Sequence, residues 1–92
     1  MNTLELFRKE IDIIDENIIK LLAERYNICK QVAIYKKSQN IPMMQPGRIN
    51  SIMNRLAIIA RSNNISEKVV QGIFSTIIKY SCELEDQVIQ EF

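Results

Sequence analysis

One feature constrains this chain more than any other. Leu4, Phe7, Ile11, Ile14, Ile18, Leu21, Arg25, Ile28, Val32 and Tyr35 recur at alternating spacings of three and four, and no Gly or Pro interrupts Leu4 to Lys37. That is a heptad seam, apolar at every position but one, and it predicts a single helix over residues 4–38. About 35 helical residues rise roughly 52 Å at ~1.5 Å each. A compact globule of this length has a radius of gyration near ~12 Å and a diameter of about 30 Å. The helix is too long for its own domain. Ile13, Ile19, Leu22, Ala23, Ala33 and Ile34 widen its apolar surface beyond one seam. Two shorter helices cannot cover that surface along its whole length, so a homodimer is the economical closed solution.

The 54 positions after residue 38 of the 92-residue chain carry two more helical patterns. Ser38 to Gln45 reads as a loop, and Pro46 is expected to open a second helix in its first turn. The apolar face of that helix is Ile49, Ile52, Met53, Leu56 and Ile59. Arg61-Ser62-Asn63-Asn64-Ile65 ends it. Ser66 is placed to cap a third helix, with Glu67 in its first turn. Val70, Ile73, Phe74, Ile77, Ile78, Leu84, Val88 and Ile89 give that helix its stripe. The fold class is therefore all-α. Residues 1–92 form one domain of three helices, intertwined with a second copy as a homodimeric bundle.

Composition removes several functions. Lys+Arg is 12 and Asp+Glu is 11, for a net charge of +1. Nucleic-acid and membrane-surface binding want a large positive excess, so neither is expected. There is no histidine, and two cysteines do not make a four-ligand zinc site. With two Gly and two Pro, a sheet-rich fold lacks turn material. No basic-then-apolar leader pattern opens the chain, and no apolar run approaches the ~18 residues of a membrane span, which points to the cytoplasm. Cys29 and Cys82 sit among apolar neighbours and read as reduced, buried thiols.

The residues that break the pattern carry the chemistry. Arg25 holds a seam position. It snorkels, pairs with a carboxylate such as Glu24 or Glu85, or binds an anion inside the bundle. Lys36 lies eleven residues on, back on nearly the same face and about 16 Å along. Alone it reads as a solvated lysine like Lys37; with Arg25 it can grip the far end of a small dianion. Arg8 precedes Arg25 by seventeen residues, roughly 25 Å away and about a quarter turn off. It cannot share a small ligand with Arg25 of its own chain, but an antiparallel partner can bring it there. Ser81 and Glu85 share a face of the third helix and read either as a satisfied hydroxyl with a rim acid or as a polar pocket floor.

These residues also resemble a family. The string Leu4…Arg8…Ile11-Asp12…Ile14-Asp15…Ile18…Leu21-Leu22-Ala23-Glu24-Arg25…Val32-Ala33…Lys36 is similar to the first helix of the all-helical chorismate mutases. So are Ile41-Pro42, Gln45-Pro46-Gly47-Arg48, and Phe74…Ile77-Ile78…Ser81, over about residues 4–90. The resemblance implies a homodimer that rearranges chorismate to prephenate in aromatic amino-acid biosynthesis, without cofactor or metal. It assigns catalysis to Arg25, Lys36 and Glu85. Arg25 grips one carboxylate, Lys36 the other carboxylate and the ether oxygen, and Arg8 arrives from the other subunit. Arg48 and Ser81 contact substrate from the second and third helices. The reaction is a unimolecular rearrangement. Such a site needs to hold a compact conformer and to place donors on the developing charge of the ether oxygen.

Three positions depart from the pattern. Gln45 stands where many members have an acid that caps the second helix and meets the substrate hydroxyl; it is a weaker cap but can still hydrogen-bond, so it stays among the substrate-binding residues. Ile49 stands where many have Glu, and by itself reads as core. Glu85 stands where many have Gln, whose amide donates to the ether oxygen; a carboxylate donates only when protonated. The departures keep other readings open. An isochorismate-pyruvate lyase shares this fold and cationic site, and a mutase acting on the 4-amino analogue of chorismate is a further alternative. A non-catalytic helical dimerisation module is the reading from a different class.

Overall fold

The computed structural model describes residues 2–43 and 45–91, the side chain of residue 91 excepted. Met44, which the sequence places in the linking loop, lies outside the described residues. Three helices follow one another: α1 (Thr3–Ser38), α2 (Arg48–Ser62) and α3 (Glu67–Glu91). Helix α1 is unbroken, as the seam predicts. Asn2 caps it by accepting from the Glu5 amide at 2.8 Å. Glu5 near its start and Lys36 and Lys37 near its end complement the helix dipole.

Both α1 and α2 end in the same way. Asn40 (φ 55°) and Asn64 (φ 56°) take the left-handed conformation. The Ile41 amide reaches back to the Lys36 carbonyl at 2.8 Å, and the Ile65 amide to that of Ala60 at 2.9 Å. These are Schellman closures with Asn in the place glycine usually takes. They explain how a chain so poor in glycine makes its turns.

The start of α2 differs from expectation. Pro46 lies before the helix, not in its first turn. The Arg48 amide donates to the Gln45 carbonyl at 3.2 Å, and Gly47 has φ 79° and ψ −8°. Pro-Gly at the two central positions makes a type II turn, which demands positive φ at the second. The helix therefore begins at Arg48, with Gly47 as its N-cap and no side-chain cap. Gln45 is not the capping residue. Helix α3 starts as read: the Ser66 hydroxyl accepts from the Val69 amide at 3.4 Å. Glu67 also meets Arg61 at 3.1 Å across the turn, an exposed pair that contributes little.

Helix α3 packs against both other helices. Arg25 sits opposite Ser81 and Lys37 opposite Ile89, so α1 and α3 run parallel. The short link at 63–66 turns α2 back along α3. Ile52, Leu56 and Ile78 form the core, with Met53, Val70, Phe74 and Cys82 against them. Tyr26 and Tyr80 meet edge to face at 4.8 Å.

Among the described residues, the first half of α1 is exposed along its whole length. Nine large apolar residues between Leu4 and Leu21 are 50–66% exposed. The chain extends 57 Å along its longest axis, with a radius of gyration of 16.9 Å against the ~12 Å of a compact globule. Among the described residues no helix is long and apolar enough to cross a membrane.

Candidate active site

Where α1, α2 and α3 meet, a cavity of about 310 Å³ opens. That is the lower end of the range for small-molecule sites. Six of the seven residues expected at the site line it: Arg25, Lys36, Gln45, Arg48, Ser81 and Glu85. Arg8 does not; it lies on the exposed half of α1. Ile49 is also in the wall and 41% exposed, so it is not a core residue.

Helical spacing explains the α1 wall. Arg25, Cys29, Val32 and Lys36 fall at steps of four, three and four and share one face. Arg25 meets a hydroxyl and a thiol. Its Nη1 donates to Ser81 Oγ at 2.7 Å and to Cys29 Sγ at 3.8 Å. Ser81 is buried, and its own proton goes to the Ile77 carbonyl at 2.9 Å. The serine thus anchors the guanidinium from the α3 side. Lys36 Nζ donates to the Met43 carbonyl at 3.0 Å, which ties the loop after α1 to the pocket.

Electrostatics favour an anion. Arg25, Lys36 and Arg48 line the cavity, and Glu85 is the only carboxylate among its lining residues. The first turn of α2 adds to this potential: it carries no acidic residue and no side-chain cap, so nothing there offsets the positive end of the helix dipole. Burial pushes the Glu85 carboxyl above its ordinary value, Lys36 opposes the shift, and Asp86 adds to it. The acid form therefore persists to higher pH than for a solvated glutamate.

Sequence alone does not single out all of the lining. Cys29 and Cys82 are half-buried free thiols in the pocket wall, and Cys82 also packs against the core. Their positions are legible in principle: Cys29 is one turn beyond Arg25, and Cys82 adjoins Ser81. Met43 has no such signal, because it acts through its backbone carbonyl.

The sequence model of the family described as chorismate mutase type II matches residues 7–86. The chain belongs to the chorismate mutase type II family. Relatives within it differ in activity and architecture. A chorismate mutase of Methanocaldococcus jannaschii is 36% identical over 84 residues, covering 91% of this chain and 85% of the relative. A 4-amino-4-deoxychorismate mutase of Streptomyces venezuelae is 31% identical over 88 residues, covering 96% and 85%. A bifunctional chorismate mutase/prephenate dehydratase of Buchnera aphidicola subsp. Acyrthosiphon pisum is 30% identical over 91 residues, covering 99% of this chain but 24% of the relative. The family match reaches into all three helices and includes every pocket residue named above.

Proposed function

We propose that this protein is a chorismate mutase that rearranges chorismate to prephenate, working as a homodimer. The observation that carries the reading is the convergence of Arg25, Lys36 and Arg48 on one small cavity with Glu85 as its only lining acid. A flexible dianion is held there by its two carboxylates. In the rearrangement the ether C–O bond breaks as a C–C bond forms, and no group leaves. Arg25 grips one carboxylate with its planar fork, fixed in direction by Ser81. Lys36 leaves the Met43 carbonyl for the other carboxylate and the ether oxygen. Protonated Glu85 donates to that oxygen as charge develops on it. Arg8 of a second copy closes the open end. The dimer reading rests on the uncovered apolar half of α1, which a partner helix would bury.

Incubation with chorismate and, separately, with isochorismate, followed by chromatography, tests the function. Prephenate from chorismate is expected. Salicylate and pyruvate from isochorismate, with little prephenate, would overturn the assignment in favour of a lyase. No turnover of either would favour a dimerisation module.

The donor role of Glu85 has its own signature. Its raised pKa means that the donating acid form grows as pH falls, so the rate is expected to rise from pH 8 to pH 5. Glu85→Gln, whose amide donates at every pH, should flatten the profile and keep activity at pH 8. A wild-type rate that stays level across this range would remove Glu85 from the role. The same shift has a stability sign. The contribution of protonated Glu85 to folding is present below its unfolded-state pKa and fades as pH rises through the higher folded value.

A second reading has specific support. Two relatives are named 4-amino-4-deoxychorismate mutases, and Gln45 and Ile49 leave the start of α2 without an acid. An ammonium substituent would enter a cavity lined by three cations and a single carboxylate, which favours the hydroxyl substrate. Comparing kcat/KM for the two substrates decides between them.

A further inference from the structure

The mechanism makes no use of the two thiols in the pocket wall. Cys29 lies on α1 between Arg25 and Lys36, one turn from the first and two from the second. Its sulfur is 3.8 Å from the Arg25 guanidinium, and both line the same cavity. A carboxylate gripped by Arg25 would therefore lie beside this sulfur and hold its neighbouring carbons toward it. Two further cations, Lys36 and Arg48, line the cavity and draw in anions.

We propose that Cys29 is a covalent modification site selective for small carboxylate-bearing soft electrophiles, the unsaturated dicarboxylates above all, which the cations of the pocket hold against its sulfur. The inference rests on the anion-binding reading of the cavity. With an unsaturated dicarboxylate, the sulfur lone pair forms a new S–C bond. The electron pair of the C=C bond moves to the adjacent carbon and takes up a proton, balancing the one lost from the thiol. The product is a thioether, with no oxidant or reductant required. The adduct keeps its carboxylates on the cations and so occupies the space that a dianionic substrate needs.

Cys82 is the poorer nucleophile of the two. Burial, and then Glu85, Asp86 and Cys29, push its thiol up, with Lys36 opposing. Its thiolate, the reactive form, is therefore less accessible than that of an ordinary cysteine. Its side chain also packs against the core made by Ile52, Leu56 and Ile78.

Iodoacetate and iodoacetamide differ in one charge and react by the same displacement, in which iodide leaves as the S–C bond forms. Their labelling rates on the native protein, each divided by its rate on free cysteine, give the test, with mass spectrometry locating the adduct. The iodoacetate ratio is expected to exceed the iodoacetamide ratio by about tenfold or more. The label should sit on Cys29 and disappear in Cys29→Ser. Arg48→Ala should slow iodoacetate while sparing iodoacetamide. Equal ratios for the two reagents would overturn the proposal, as would labelling of Cys82 with Cys29 untouched. Chorismate protection separates this site from the catalytic reading. A charge preference that persists without protection supports the thiol site and fails the mutase. A lost preference with turnover intact overturns the thiol site alone.

Discussion

Two inactive variants, Arg8→Ala and Arg25→Ala, are expected to regain activity when unfolded together in equal amounts and refolded. About a quarter of wild-type turnover should return. The distance between these residues sets the expectation. They are seventeen positions apart on one unbroken helix, so about 25 Å separates them. One cavity cannot hold both from one chain. If each site combines Arg25 of one protomer with Arg8 of the other, a mixed dimer contains one site with both arginines and one with neither. Half the dimers in a random mixture are mixed, and each has one intact site of two. Failure to recover activity, with mixed dimers shown to form, would sink the contribution of Arg8 across the interface.

Arg25→Ala alone should have the largest effect of any single substitution. Arg25 is proposed to grip one of the two carboxylates that hold the reactive conformer, and loss of one preorganised charged contact typically lowers turnover by about 10²–10³-fold, so the fall in kcat/KM should reach at least that range. Arg25→Lys should recover little of it, because the ammonium keeps the charge but not the planar fork that spans a carboxylate. Folding should survive. The guanidinium is half-buried and meets a hydroxyl and a thiol, so its removal strands no buried charge. Circular dichroism and sedimentation on the same preparations check this. Full turnover in a folded Arg25→Ala dimer would place the active site elsewhere.

The rod is plain from sequence because a heptad without Gly or Pro leaves one option. Most of the polar lining of the cavity is legible because helices carry phase. Once Arg25 stands out as the polar residue of its seam, Lys36 comes from eleven steps of about 100°, and Ser81 and Glu85 from a four-residue spacing. The features that escape are made by backbone. Pro46 misplaces the start of α2 because proline suits both the first turn of a helix and the second position of a turn; Gly47, with positive φ, decides for the turn. The hold of Met43 on Lys36 is invisible because a carbonyl has no residue type. Ile49 reads as core because an apolar residue on an apolar stripe carries no sign of the cavity beside it.

The unbroken course of α1 has a consequence for how this chain tolerates changes in length. Each residue added between Arg8 and Arg25 would advance the arginine at the far end by about 1.5 Å and swing it through about 100°, out of phase with the second copy that the proposed dimer brings to it. Seven added together would nearly restore the angle yet shift the reach by about 10 Å. The turns after Ser38 and Ser62 transmit no such phase to distant residues, because α2 and α3 are positioned by their own packing. Natural variants of this architecture should therefore gain and lose residues at the turns and keep the spacing along the rod. The helix acts as a fixed ruler, and its graduations are the heptads.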